Sequence, residues 1–317
     1  MRVRLALIIM LVAASDTGAA TFQEEFASDP QTRGWHSFGV PSLFYWNSTN
    51  QNLEVTWNTE RPNSFFCRPL GTVLTKSDDF SLAFDLRLDS IALDFNSPYA
   101  FEVAIGLLNL ASATNANFIR GTGTQSPNLV EFDYFPDTGF GATVSPAMVS
   151  SNNQFATSFT FPLELTSGDL FRIAMNYSAS NQTLTTTITR NGQPFGPIKD
   201  VKPGTTFTDF RVDTFSVSSY SDNTASGSII VRGVLDNIVI TTPEPPVTDL
   251  VGSFTNSLWQ VQFTSRPNWV YTLERSSDLR TWVTITPAPI SVETKLVLQD
   301  SNAPPDKAFY RVRAERP

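Results

Sequence analysis

Glu131 and Asp133 are separated by a single residue in the run Val130, Glu131, Phe132, Asp133, Tyr134, Phe135, Pro136, Asp137. In an extended chain residues two apart point to the same side, so both carboxylates share one sheet face. A second set of side chains suited to recognition lies earlier: Trp35, Tyr45, Trp46 and Trp57 fall within the first sixty residues. Exposed indole and phenol rings stack against the C–H faces of sugar rings, and each such aromatic contact is worth about 0.5 to 1.5 kcal/mol beyond its buried area. A site made of two or three of them binds weakly unless it is repeated. These four residues are the candidate ligand-binding set, against the alternative that they pack in strands.

Other constellations fail on supply. His36 is the one histidine of the chain and stands in a loop-like stretch, Arg33 to Gly39; a Ser/His/Asp triad would require it as base. No nucleophile-elbow pattern is present, and a zinc site needs more His or Cys than the sequence holds. Cys67 is also single, which excludes an intrachain disulfide; it sits in the strand-like run Ser64 to Cys67 and reads as a small buried hydrophobe.

The elements that must position these groups follow a period of two. Phe80, Leu82, Phe84, Leu86 and Leu88 alternate with Ser81, Asp85 and Arg87, the signature of a half-buried strand. The pattern returns at Phe101, Val103, Ile105 and Leu107, at Val130, Phe132 and Tyr134, and at Phe171, Ile173, Met175 and Tyr177. Further strands are expected at 22–26, 43–46, 53–57, 184–189, 211–220 and 229–240, with Asn191-Gly192 closing a tight hairpin through positive φ angles. At least ten strands in about 220 residues, with no helical window between them, require two sheets packed face to face. The expected fold is all-β, a jelly-roll β-sandwich followed by a small β-sandwich module, and the first and last strands of the larger part, at 22–26 and 234–240, should pair.

Across residues 21–242 the ordered set 80–88, 103–107, 130–135, 170–177, 184–192 and 234–240 resembles the concanavalin A-like lectin and glucanase superfamily, including laminin G-like and legume-lectin-like modules. The resemblance implies a curved double sheet that commonly presents carbohydrate-binding surfaces. In the related glucanases a strand of this form carries a nucleophilic Glu, a supporting Asp and, three residues on, an acid/base Glu. Here the third position is Pro136, which cannot supply the second carboxyl that a retaining glycosidase holds about 5 Å from the first. A glycoside hydrolase with Glu131 as its carboxylate stays as an alternative in which Glu102 or another neighbour substitutes. In legume-type lectins the same strand holds calcium beside a transition metal. Glu131, Asp133, the carbonyl of Phe135 and Asp137 match that pattern in part, while the downstream Asp and His fall on Ala142 and Ala147. The resemblance therefore implies at most a lone Ca2+, which accepts about six to eight oxygen ligands in flexible geometry.

Residues 1–20 read as a secretory signal peptide: Arg2 and Arg4, an apolar run from Leu5 to Ala14, then small residues ending at Ala20. The run is too short to span a bilayer, so a soluble secreted or extracytoplasmic chain is expected. The chain has 317 residues with 22 Lys and Arg against 30 Asp and Glu, a net charge of −8. That balance argues against nucleic acid or an anionic membrane as partner. Three sequons begin at Asn47, Asn176 and Asn181. Residues 243–248 are proline-rich and read as a linker, after which 249–317 looks like a small fibronectin-type-III-like module of secreted bacterial proteins, a spacer or a unit attaching the protein to envelope or matrix. The expected function is glycan binding or adhesion without catalysis; the third alternative is a structural envelope or extracellular-matrix protein that binds no glycan.

Overall fold

Strands account for almost every described element, and their order places the acidic run in the middle of a sheet. The computed structural model describes residues 19–93, 102–120, 125–221, 229–255, 258–267, 269–287, 295–304 and 307–316. The expected signal peptide, apart from Ala19 and Ala20, lies outside these residues, as does Phe101 of the expected strand 101–107. The chain divides into two compact units between Pro243 and Glu244.

The larger unit contains β1 (Ala20–Glu24), β2 (His36–Phe38), β3 (Phe44–Asn47), β4 (Asn52–Asn58) and β5 (Ser64–Leu74). It continues with β6 (Phe80–Leu93), β7 (Val103–Leu108), the short helix α1 (Leu110–Ala113), β8 (Leu129–Phe135), β9 (Thr143–Val149) and β10 (Phe155–Thr157). It ends with β11 (Leu170–Ser178), β12 (Thr183–Arg190), β13 (Gln193–Phe195), β14 (Val212–Ser219) and β15 (Ile229–Thr242). Eight of these strands form one sheet in the order β13, β12, β11, β6, β15, β4, β3, with β1 also on β15; seven form the other in the order β10, β9, β8, β7, β14, β5, β2. All named pairings are antiparallel, so each sheet turns one face to a shared core.

The alternation read in the sequence sets the faces of the eight-stranded sheet. In β6 Phe80, Leu82, Phe84, Leu86 and Leu88 are buried while Ser81, Ala83 and Asp85 are half-exposed, and β4 and β11 repeat that pattern. Phe84 meets Phe132 of β8 edge-on across the interior, 5.9 Å between ring centroids, which fixes the two sheets face to face. The end strands close as expected: Phe22 of β1 lies opposite Ile240 of β15. The Asn191-Gly192 hairpin has φ of 51° and 79°, the left-handed pair that a type I′ turn needs.

The seven-stranded sheet differs from a half-wet sheet. β7, β8 and β9 are buried on both faces apart from Phe135, because chain outside the strands covers the face turned away from the core. That outer face carries small residues in register: Ala104 opposite Asp133, Gly106 opposite Glu131, and Ala147 and Ser145 on the other side of the same two carboxylates. In β9 the outer positions Thr143, Ser145 and Ala147 are small and uncharged, so its alternation is faint and it was not among the expected strands; β2 and β10, three residues each, are too short to show a period.

The smaller unit contains β16 (Val247–Thr255), β17 (Leu258–Ser265), β18 (Val270–Ser276), β19 (Val283–Pro287), β20 (Lys295–Asp300) and β21 (Phe309–Glu315). They make two three-stranded sheets, β16-β17-β20 and β19-β18-β21, around a core of Trp259, Val261, Phe263, Trp269, Tyr271, Leu273 and Leu298. β16 begins at Val247, inside the stretch 243–248 expected as linker. Tyr271 anchors the entry of the chain, its hydroxyl donating to Pro246 O at 2.7 Å and accepting from the Arg266 amide at 2.7 Å.

Candidate functional site

The acidic strand meets an arginine that no local pattern marked. Arg120 comes from the segment after α1 and reaches the outer face of β8, where Nε lies 3.0 Å from Glu131 Oε2 and 3.2 Å from Glu102 Oε1, and Nη2 lies 2.5 Å from Asp133 Oδ2. All four side chains are about 1% exposed. Tyr220, just beyond β14, donates its hydroxyl to Glu131 Oε1. Burial works against the charge of Arg120, but Asp133, Glu102 and Glu131 together outweigh it and hold the guanidinium ionised. Burial likewise pushes both carboxyls up against the pull of Arg120, and Asp133 furthest, with Glu102 and Glu131 beside it adding repulsion. The Tyr220 hydroxyl is raised by the same burial and by Glu131.

This arrangement corrects two expectations. A glycosidic bond cannot reach Glu131 or Asp133, since both are about 1% exposed and face Arg120. The calcium reading fails on the donor set, because the carboxylate oxygens that would face the ion face a guanidinium. Asp137 lies past the strand end and accepts from the Gly139 amide at 2.8 Å in its own turn, and Phe135 pairs with Thr143 in the sheet. Among the described residues no group of three or more His, Cys, Asp or Glu side chains is arranged to hold a metal.

The aromatic set divides in the same way. Trp35 is 2% exposed, stacks on Phe66 with centroids 5.0 Å apart, and donates Nε1 to Glu24 Oε2 at 2.9 Å. Glu24, itself fully buried, also accepts from Arg33 and from the Phe26 amide. Trp57 is 1% exposed within the inner face of β4. Neither ring can offer a face to a ligand, which overturns both assignments: the same bulk and apolarity that suit an indole to stacking are satisfied here by the core. Trp46 is half-buried, its Nε1 donating to Phe26 O at 2.8 Å. Tyr45, 61% exposed on the outer face of β3, is the member of the set that presents its ring to solvent. His36 lies exposed on the edge strand β2. Cys67 is buried with its thiol pushed up to about 11 by desolvation first and Asp213 second, the state of an inert core cysteine.

Two of the clefts on the larger unit are lined by described residues. One, of about 410 Å3, forms on the outer face of the eight-stranded sheet where β15 bulges between Asp236 and Val239 and exchanges β4 for β1 as its neighbour. Three of its polar groups pair with one another: Arg172 Nη1 donates to Asp85 Oδ1 and to Asn237 O, and Asn237 Nδ2 donates to Asp85 Oδ2. The other, of about 500 Å3, lies beside α1 and is lined by Ser112, Asn115, Asn117, Gln125 and Asn153, with Phe118 and Pro127 as its apolar surface. Among the described residues no charged side chain lines it. Asn153 sits in a turn with φ of 60°, held by its amide to Ser150 O, and its Oδ1 is buried with no hydrogen-bond partner among the described residues. Its lining comes from three separate stretches of chain, at 112–118, 125–127 and 153, so no spacing in the sequence announced it.

No family model matches the sequence, and neither does any curated protein. Solved structures of legume lectins are similar in strand arrangement at low identity. Peanut lectin, solved with a nine-residue peptide, is 15% identical, with 72% of this chain and all of that one covered at a TM-score of 0.47. Lectin UEA-II, solved with galactose, is 14% identical over 72% of this chain and all of that one at 0.46, and a seed lectin of Lotus tetragonolobus is 14% identical over 71% and 100% at 0.42.

Proposed function

We propose that the chain is an exported, non-catalytic carbohydrate-binding or adhesion protein whose larger unit takes a neutral sugar in the amide-lined cleft beside α1. The observation that carries this reading is the lining itself: the amides of Asn115, Asn117, Gln125 and Asn153 and the hydroxyl of Ser112 surround the cleft, with no charged side chain among the described residues. Amide groups both donate and accept, the same dual capacity that each sugar hydroxyl has. The volume of about 500 Å3 falls within the range of small-ligand sites, and the absence of charge in the lining favours a neutral polyol over an ionic ligand. Burial of Glu131 and Asp133 supports a role without hydrolysis. Export rests on the leader read at residues 1–20. The smaller unit is proposed as the spacer or attachment module that its resemblance to fibronectin type III suggests.

Retention on a panel of immobilised neutral polysaccharides tests the reading. Each hydrogen bond is worth about 0.5 to 1.5 kcal/mol, so Asn153→Ala is expected to weaken retention about tenfold through the pair its amide makes. Tyr45→Ala, on the other sheet, should leave it unchanged. A protein that binds no glycan but stays at the cell surface would replace this reading with a structural envelope or matrix role, and sugar release abolished by Glu131→Gln would restore the hydrolase.

A further inference from the structure

We infer that Arg120 is a built-in counter-cation, filling from within the chain the place where the acidic strand β8 would otherwise call for a metal ion, and that the larger unit is therefore organised without divalent metal. Three carboxylates from two neighbouring strand regions, Glu102 before β7 and Glu131 and Asp133 on β8, converge on one point of the outer sheet face, and all are withdrawn from water. Such a group of buried anions has to be neutralised, by protons or by a cation. The guanidinium contacts all three, while Tyr220 takes the remaining Glu131 oxygen. Its five N–H donors lie in a fixed plane and can address several carboxylates at once, which an ammonium does less well. The neighbouring small residues, Ala104, Gly106, Ala147 and Ser145, leave room for a group of this size above the sheet. A Ca2+ needs about six to eight oxygens at roughly 2.3–2.6 Å, a shell that cannot form while the guanidinium stands among those oxygens.

The inference also states what the cluster becomes without its arginine: a cavity with three carboxylates and one phenol, which is a hard-cation site. Thermal unfolding of the larger unit and Tb3+ emission, sensitised through Tyr220, are the two readouts, and neither depends on glycan binding. The full chain should unfold at the same temperature in EDTA and in millimolar CaCl2, and should show no sensitised Tb3+ emission. Arg120→Ala should be destabilised in EDTA, recover by several degrees as CaCl2 is added, and light up Tb3+ in a way that Ca2+ competes away. Adding Asp133→Asn and Glu131→Gln to Arg120→Ala should abolish both cation responses. A wild-type chain that loses stability in EDTA overturns the inference. So does an Arg120→Ala chain that behaves alike with and without Ca2+, including one that folds in neither.

Discussion

Glu24 and Trp35 show how one hydrogen bond decides between a binding residue and a core residue. The Glu24 carboxylate is fully buried and accepts from the Phe26 amide, Arg33 Nη2 and Trp35 Nε1. Trp35 thus has both its ring and its N–H committed inward. Trp35→Phe keeps most of the apolar contact and removes one donor, leaving Glu24 Oε2 short of a partner. The expected cost is about 1–3 kcal/mol of stability for a buried acceptor attached to a charged group, read from urea unfolding, with retention on polysaccharide unchanged for the folded fraction. A loss of retention at full stability would instead return Trp35 to the binding set. The sequence offered four aromatic residues of equal standing; Tyr45 differs from Trp35 and Trp57 in facing solvent where they face the core, and that is not written in residue type.

At the scale of elements, β7 and β8 approach each other closely because of Gly106. A Cβ built there would lie 2.3 Å from Val130 O and 2.6 Å from Glu131 Cα, contacts that real side chains do not make. Both obstacles are backbone, so relief requires the two strands to part, at the position where Glu131 must meet Arg120 and Tyr220. Gly106→Ala is expected to destabilise the larger unit by about 1–3 kcal/mol, the usual penalty for overpacking a tight interior. It should also quench less of the solvent exchange at the β7–β8 amides, measured by hydrogen exchange; unchanged protection of residues 103–108 and 129–135 would refute this. The elements themselves were readable where one face is wet: β4, β6 and β11 show the period of two, and Asn191-Gly192 shows its turn. β9 was harder to read than β8, which is buried on both faces as well: β8 carries Glu131 and Asp133 at its outer positions, whereas Thr143, Ser145 and Ala147 at those of β9 are small and uncharged, so its alternation is faint.

At the scale of the whole molecule, each unit has its own core and its own electrostatic debt to pH. In the smaller one Asp278 closes the turn after β18, accepting from the amides of Thr281 and Arg280 and from the Ser276 hydroxyl, which lowers its carboxyl to about 2. A carboxyl depressed from an unfolded value of about 3.9 contributes stability that is full above that value and is lost as the pH falls towards 2. Asp278→Asn should flatten the acid limb of stability between about pH 4 and pH 2, followed by hydrogen exchange at residues 276–281; an unaltered limb would show that the turn does not titrate with the fold. By itself the sequence determined the all-β class, the faces of the half-wet strands and the hairpin at Asn191-Gly192, because alternation and turn chemistry are local consequences of backbone geometry. Tertiary structure alone decided that Glu131 and Asp133 face an arginine, that two tryptophans are core, and that amides from three separate stretches share a cleft. Those outcomes depend on which distant side chain arrives at a given face, and burial turns a carboxylate or an indole to a different use without changing a single letter around it.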